Sequence, residues 1–121
     1  MNTLDLLLKT DIPDAPEKEF KQKRLSAICG EPVIFKLKAL PYNLANEIIK
    51  SQKEDINVHI VLAGTVEPNL KDASLLSKYK AETPAELVKK MLLPGEVEDL
   101  SRAIERLSGY RVDTIEELKK K

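Results

Sequence analysis

The stretch GTVEPNLKDASLLSKYKAETPAELVKKMLLPGEVEDLSRAIERLSGY, residues 64–110, decides how this chain folds. It holds three successive helical patterns, each with its own start or stop signal. Asp72 can cap the first, which carries Leu75, Leu76 and Tyr79 on one side. Thr83-Pro84-Ala85-Glu86 opens the second with a capping box and a proline at the first helical position, where a missing N–H does no harm. Leu87, Val88, Met91 and Leu92 line its inner face, and Pro94-Gly95 stops it. The third pattern runs from Glu96 to Ser108 with a stripe of Val97, Leu100, Ile104 and Leu107. Glu96, Glu98 and Asp99 gather at its start and Arg102 and Arg106 follow, an order that suits the helix dipole. Gly109 stands where a helix commonly ends in a left-handed residue.

Upstream, Asp55 to Val66 is apolar in almost every position from Val58 to Ala63. Periodicity alone does not separate a buried helix from a buried strand here. Helix is the reading taken, because Asp55 can cap it, Gly64 can end it and Pro68 follows. Before it, Pro41 starts a helix to about Gln52, with Leu44, Ala45, Ile48 and Ile49 on one face. Val33 to Leu40 alternates Val33, Phe35, Leu37 and Ala39 against Ile34, Lys36, Lys38 and Leu40, which is a strand pattern. Glu19 to Ile28 reads as its partner strand, less clearly alternating, with Cys29-Gly30-Glu31-Pro32 as the turn. A two-stranded hairpin is marginal alone and needs helices on its apolar face.

The two ends differ from this middle. Thr3 to Lys9 fits two turns of helix with Thr3 as cap. Asp11 to Pro16, with two prolines in four residues, breaks it and favours extended backbone. The pair reads as an arm, an apolar anchor on a semi-rigid spacer. Asp113 or Thr114 can cap a last short helix through Lys120. The expectation is one domain over 1–121: arm 1–16, β-hairpin 17–40, helical core 41–108 and a short helix in 109–121. The fold class is α+β, an N-terminal hairpin packed on a mainly α-helical C-terminal two-thirds.

Composition narrows the function classes. With 121 residues, 42% hydrophobic and 33% charged, the chain has the make-up of a folded domain with a modest core. Twenty basic and twenty acidic residues cancel, so no global field draws it to nucleic acid or an anionic membrane. The basic runs Lys21–Arg24 and Lys119–Lys121 read as solvated ends. No apolar run approaches a membrane span or a signal peptide. A single Cys and a single His make neither a disulfide nor an ordinary structural zinc site, and suit a reducing cytoplasm.

Catalytic groups are hard to find. His59 sits in the most apolar run and reads as a satisfied or half-buried histidine; general base work needs a partner in reach. Cys29 lies in the expected turn with nothing nearby in sequence to activate a thiolate. Four scattered glycines give no phosphate-cradling loop. The expectation is no enzyme, no metal and no cofactor. The binding features are softer. One helical face cannot bury Leu87, Val88, Met91, Leu92 and Leu93 equally, so part of this set is a candidate partner surface. A helix wedged between two layers is the competing account.

The wording of three motifs goes further: Lys38-Ala-Leu-Pro-Tyr42, Ala63-Gly-Thr-Val-Glu-Pro68 and Leu92-Leu-Pro-Gly-Glu96. In their order and spacing, from the arm to Tyr110, the chain closely resembles the XkdN-like tail assembly chaperones of PBSX-type prophages and related phages. The residues carrying the likeness are Leu40, Pro41, Tyr42, Gly64, Val66, Glu67, Pro68, Pro94, Gly95 and Glu96. The resemblance implies a non-enzymatic protein that binds the tape measure protein, keeps it soluble and helps recruit tail tube subunits. It also implies a host-cytoplasmic protein missing from the finished particle, with self-association left open. A structural tail component, such as a completion or connector protein, is the nearest alternative. A nucleic-acid-binding regulator would need a basic face, which the charge balance does not offer.

Overall fold

The computed structural model describes residues 2–51 and 54–119. The chain runs α1 (Thr3–Lys9), β1 (Lys18–Lys21), α2 (Lys23–Cys29), β2 (Ile34–Leu37), α3 (Tyr42–Ser51), α4 (Ile56–Gly64), β3 (Thr65–Glu67), α5 (Ala73–Lys78), α6 (Pro84–Met91) and α7 (Pro94–Leu107). It is an α+β fold: a small antiparallel sheet in the N-terminal half, with helices making up most of the rest. The expected end of α3 near Gln52 lies outside the described residues.

The sheet has the order β1-β2-β3. Phe20 pairs with Phe35 and Lys18 with Leu37 across the first ladder. The alternation in β2 does what period two requires: Phe35 and Leu37 are fully buried, while Ile34 and Lys38 face out. β3 was not expected. It is only three residues long and follows Gly64 directly, pairing Thr65 with Leu37 and Glu67 with Lys36. A segment that short has no period of its own to read. Its existence depends on β2 waiting beside it, and Lys38 N–H reaches back to the Gly64 carbonyl at 2.8 Å.

The expected strand Glu19–Ile28 is the main correction. Strand pairing stops at Lys21 and the chain turns into α2. Gln22 caps this helix, its side-chain oxygen accepting from Leu25 N–H at 2.8 Å. Ser26 is buried and spans the gap between helix and strand. Its hydroxyl donates to the Gln22 carbonyl at 2.6 Å and accepts from Val33 N–H at 2.8 Å. Gly30 then ends α2 with φ +76°, so it is a helix cap and the connection between β1 and β2 is helical, not a tight turn.

α4 settles the ambiguity of 55–66 in favour of helix, up to Gly64. Asp55 stands at its N-cap position but in a left-handed conformation, with no capping bond from its side chain. Its carboxylate instead pairs with Lys89 on α6. Val58, Ile60 and Val61 are buried, and the helix packs against α3, α6 and α7. A helix apolar on all sides belongs inside. Gly64 makes this possible. A Cβ there would lie 2.6 Å from Ile104 Cδ1 on α7, so only glycine lets the two helices approach. Ser101, also fully buried, donates to Asn57 Oδ1 at 2.9 Å and ties the same pair of helices.

The capping signals hold with small shifts. Asp72 accepts from Ser74 and Leu75 N–H, and Thr83 Oγ1 from Glu86 N–H at 3.1 Å. Glu86 reaches back to Glu82 N–H at 3.2 Å, one residue before the cap. Pro94 and Gly95 are the first turn of α7, so they start the next helix as well as stopping α6. Gly109, φ +94°, closes α7 as expected: its N–H bonds Arg106 and that of Tyr110 bonds Glu105.

The two ends depart from expectation in different ways. α1 is a helix, capped by Asn2 and not by Thr3, and none of its residues is buried. The helix expected through Lys120 is absent over 113–119, where Ile115 is 92% exposed.

Candidate functional site

The turn between α6 and α7 is built around one carboxylate. Arg24, in the first turn of α2, sends its Nε to both oxygens of Glu96 at 3.1 and 3.0 Å and one Nη2 hydrogen to Oε1 at 3.0 Å. The same Nη2 donates to the Met91 carbonyl at 2.9 Å. Gln22 Nε2 adds a bond to Glu96 Oε2 at 2.7 Å, and Leu93 N–H one to Oε1 at 2.8 Å. The hydrogen bond from Arg24 holds the Glu96 carboxyl below the usual carboxylate range. The Leu93 N–H and the Gln22 amide act in the same direction, against the opposing effect of burial. The same bond raises Arg24.

This places the sequence motif Leu92-Leu-Pro-Gly-Glu96 in physical terms. Leu92 goes into the core, Pro94 and Gly95 form the first turn of α7, and Glu96 clamps that turn to α2. Leu93 is left outside, 52% exposed, its backbone held by Glu96. The five candidate partner residues therefore separate. Leu87 and Val88 are fully buried and Leu92 nearly so, all within the main hydrophobic cluster. Met91 is half-buried against that cluster. Leu93 alone of the five faces solvent.

The other motifs are also held in place. Leu40 N–H donates to Ser108 Oγ at 2.9 Å, which fixes the 38–42 segment to the end of α7. Pro41 is exposed and Tyr42 is 82% exposed at the start of α3. Val66 lies in β3, Glu67-Pro68 is a cis peptide, and Leu70 just beyond is buried. Gly64 is the contact with Ile104 already described.

Sequence reasoning missed a groove near the C-terminal end of α7. It has a volume of about 220 Å³ and is lined by Leu40, Ile49, Ile56, Ile60, Tyr110 and Arg111, among others. Ile49 was expected on the buried face of α3 but is 52% exposed at this groove. The signal was present: four apolar positions on a ten-residue helix make a stripe wider than the core beneath it can cover. His59 is half-buried, and Cys29 is exposed at the end of α2. Among the described residues, no His, Cys, Asp and Glu side chains group in a way that could hold a metal ion, and no helix is long and apolar enough to cross a membrane.

The motif turns are pinned as scaffold in a small α+β domain, with Leu93 and Tyr42 left exposed beside them. The family model for phage XkdN-like tail assembly chaperone proteins matches residues 50–120, and the chain belongs to that family. The match covers two of the three sequence motifs; the segment 38–42 lies before it. In fold the chain is similar to the crystal structure of the protein yqbn. The two are 25% identical with a TM-score of 0.66, over 91% of this chain and 98% of that one. A search of curated proteins finds no match.

Proposed function

We propose that this tail assembly chaperone binds the phage tape measure protein, keeps it soluble before the tail tube forms, and helps recruit tube subunits. Membership of the family carries the reading. The physics agrees with it. A tape measure is long, helix-rich and apolar, and aggregates if left bare. A domain of zero net charge with adaptable apolar side chains can cover such segments by helix-in-groove contact. Weak contacts repeated along one chain give avidity yet still release when the tube polymerises.

Leu93, with the edge of Met91, is the proposed contact. It is an exposed leucine on a turn whose backbone is fixed, so little ordering cost attends its burial. The test is co-expression with the tape measure protein encoded nearby, followed by pull-down and sizing. A tape measure that becomes soluble only with this chain, in a multi-copy complex, supports the reading. Leu93→Asp should weaken that complex and leave the melting temperature unchanged. A tape measure that stays insoluble, with this chain found instead in purified tails, would establish a structural component.

A further inference from the structure

Two apolar features lie at the surface among the described residues: the leucines of α1 and a groove beside the end of α7. On α1, Leu4, Leu7 and Leu8 follow the i, i+3, i+4 spacing of a single stripe, and all three are more than half exposed. The groove between α3, α4 and the end of α7 offers Leu40, Ile49, Ile56, Ile60 and Tyr110. We propose that the groove of one copy receives α1 of a second copy, so that the protein forms a reciprocal, arm-exchanged dimer.

Three observations carry this. The first is reach. The arm joins β1 at Lys18, which pairs with Leu37, three residues before Leu40 of the groove. Residues 10–17 belong to no regular element, are exposed throughout and include Pro13 and Pro16. Eight extended residues carry α1 about 25 Å from its own sheet, into the space of a neighbour. Because each arm starts beside its own groove, a two-fold arrangement lets both arms exchange at once.

The second is area. Burying Leu4, Leu7, Leu8 and Ile12 removes roughly 250–500 Å² of apolar surface per arm and a similar area of groove. Two reciprocal contacts bring the total to about 1,000–2,000 Å², the range of specific interfaces. One arm alone falls short of it.

The third is charge. Arg111 on the rim spends one ion pair on Glu105, at 3.4 Å, and its side chain remains 62% exposed. Its remaining N–H groups suit Asp5, which lies in the first turn of α1 next to the leucine stripe.

Sedimentation velocity of the full chain over a wide concentration range is the first test, with Leu8→Asp in the arm and, separately, Ile49→Asp in the groove. Both positions are exposed in the single chain, so at concentrations where the protein is monomeric both variants should keep the parent melting temperature. Each should weaken the dimer more than about tenfold. The decisive experiment mixes two chains in a Cys29→Ser background, one carrying Leu8→Cys and the other Ile49→Cys, under mild oxidation. A disulfide-linked dimer of the two different chains supports the exchange. A chain that sediments as a monomer throughout overturns it, as does a dimer indifferent to both aspartate variants. So does a doubly substituted chain that closes its disulfide within itself at high dilution, since that puts the arm in its own groove.

Discussion

α1 and α4 are both short, strongly apolar helices, and they have opposite fates. α1 has four leucines in seven residues and buries none of them. α4, INVHIVLAG, is enclosed by α3, α6 and α7. The difference is not apolar content. α4 is met by surfaces that fit it, with Gly64 removing the one Cβ that would hold α7 away. α1 is set off by a spacer with two prolines and stays outside the hydrophobic cluster of its own chain. Apolar side chains drive burial, but only a receiving surface gives them a place.

The comparison breaks most sharply with a charge. Val61→Asp puts a carboxylate at a fully buried position of α4. It should cost more than about 4 kcal/mol and leave little or no cooperative thermal transition. Gly64→Val tests the close approach itself. Overpacking against Ile104 should cost about 1–3 kcal/mol, read as a lower denaturant midpoint at unchanged slope. Gly64→Ala combined with Ile104→Val should lose less than the sum of the two single changes, because they share one contact.

Glu96→Gln should have a smaller effect and one that depends on pH. The folded carboxyl titrates below its ordinary value, so its contribution is complete above that value and is lost as pH falls through the depressed one. The variant should therefore be less stable than the parent at neutral pH, with the gap closing in chemical denaturation as pH falls through the depressed value. Glu86, lowered by its hydrogen bonds to Lys90 and to Glu82 N–H, follows the same sign and remains in both proteins. At the bottom of the scale, Leu7→Asp on α1, compared with the parent at concentrations where both are monomeric, should change stability by no more than about 0.5 kcal/mol. A large loss there would mean that α1 is part of the fold.

The same contrast explains what the sequence could tell. α5, α6 and α7 were legible because their signals are local: Asp72, Thr83-Pro84 and Gly109 act within one turn of themselves. β2 was legible from its alternation. α2 was not, because its buried serine bonds both to Gln22 and to Val33, seven residues ahead. β3 exists only as a neighbour of β2. The last helix was read from a cap alone, Asp113 or Thr114, while Ile115 and Leu118 stay exposed among the described residues. In the site, the motif residues were visible as words but not as parts. Arg24 lay in what looked like a strand, so nothing pointed it at Glu96, and the division of Leu87, Val88 and Leu92 from Leu93 needed the packing.

The bond between Arg24 and Glu96 joins residues 72 positions apart. The shape of the motif turn is therefore a property of the whole chain and is stored outside the segment that displays it. During synthesis Leu93 emerges long after Arg24, so the turn can be clamped as soon as it leaves the ribosome. A fragment trimmed to residues 50–120 would keep the motif from Leu92 to Glu96 while losing the residue that gives it form.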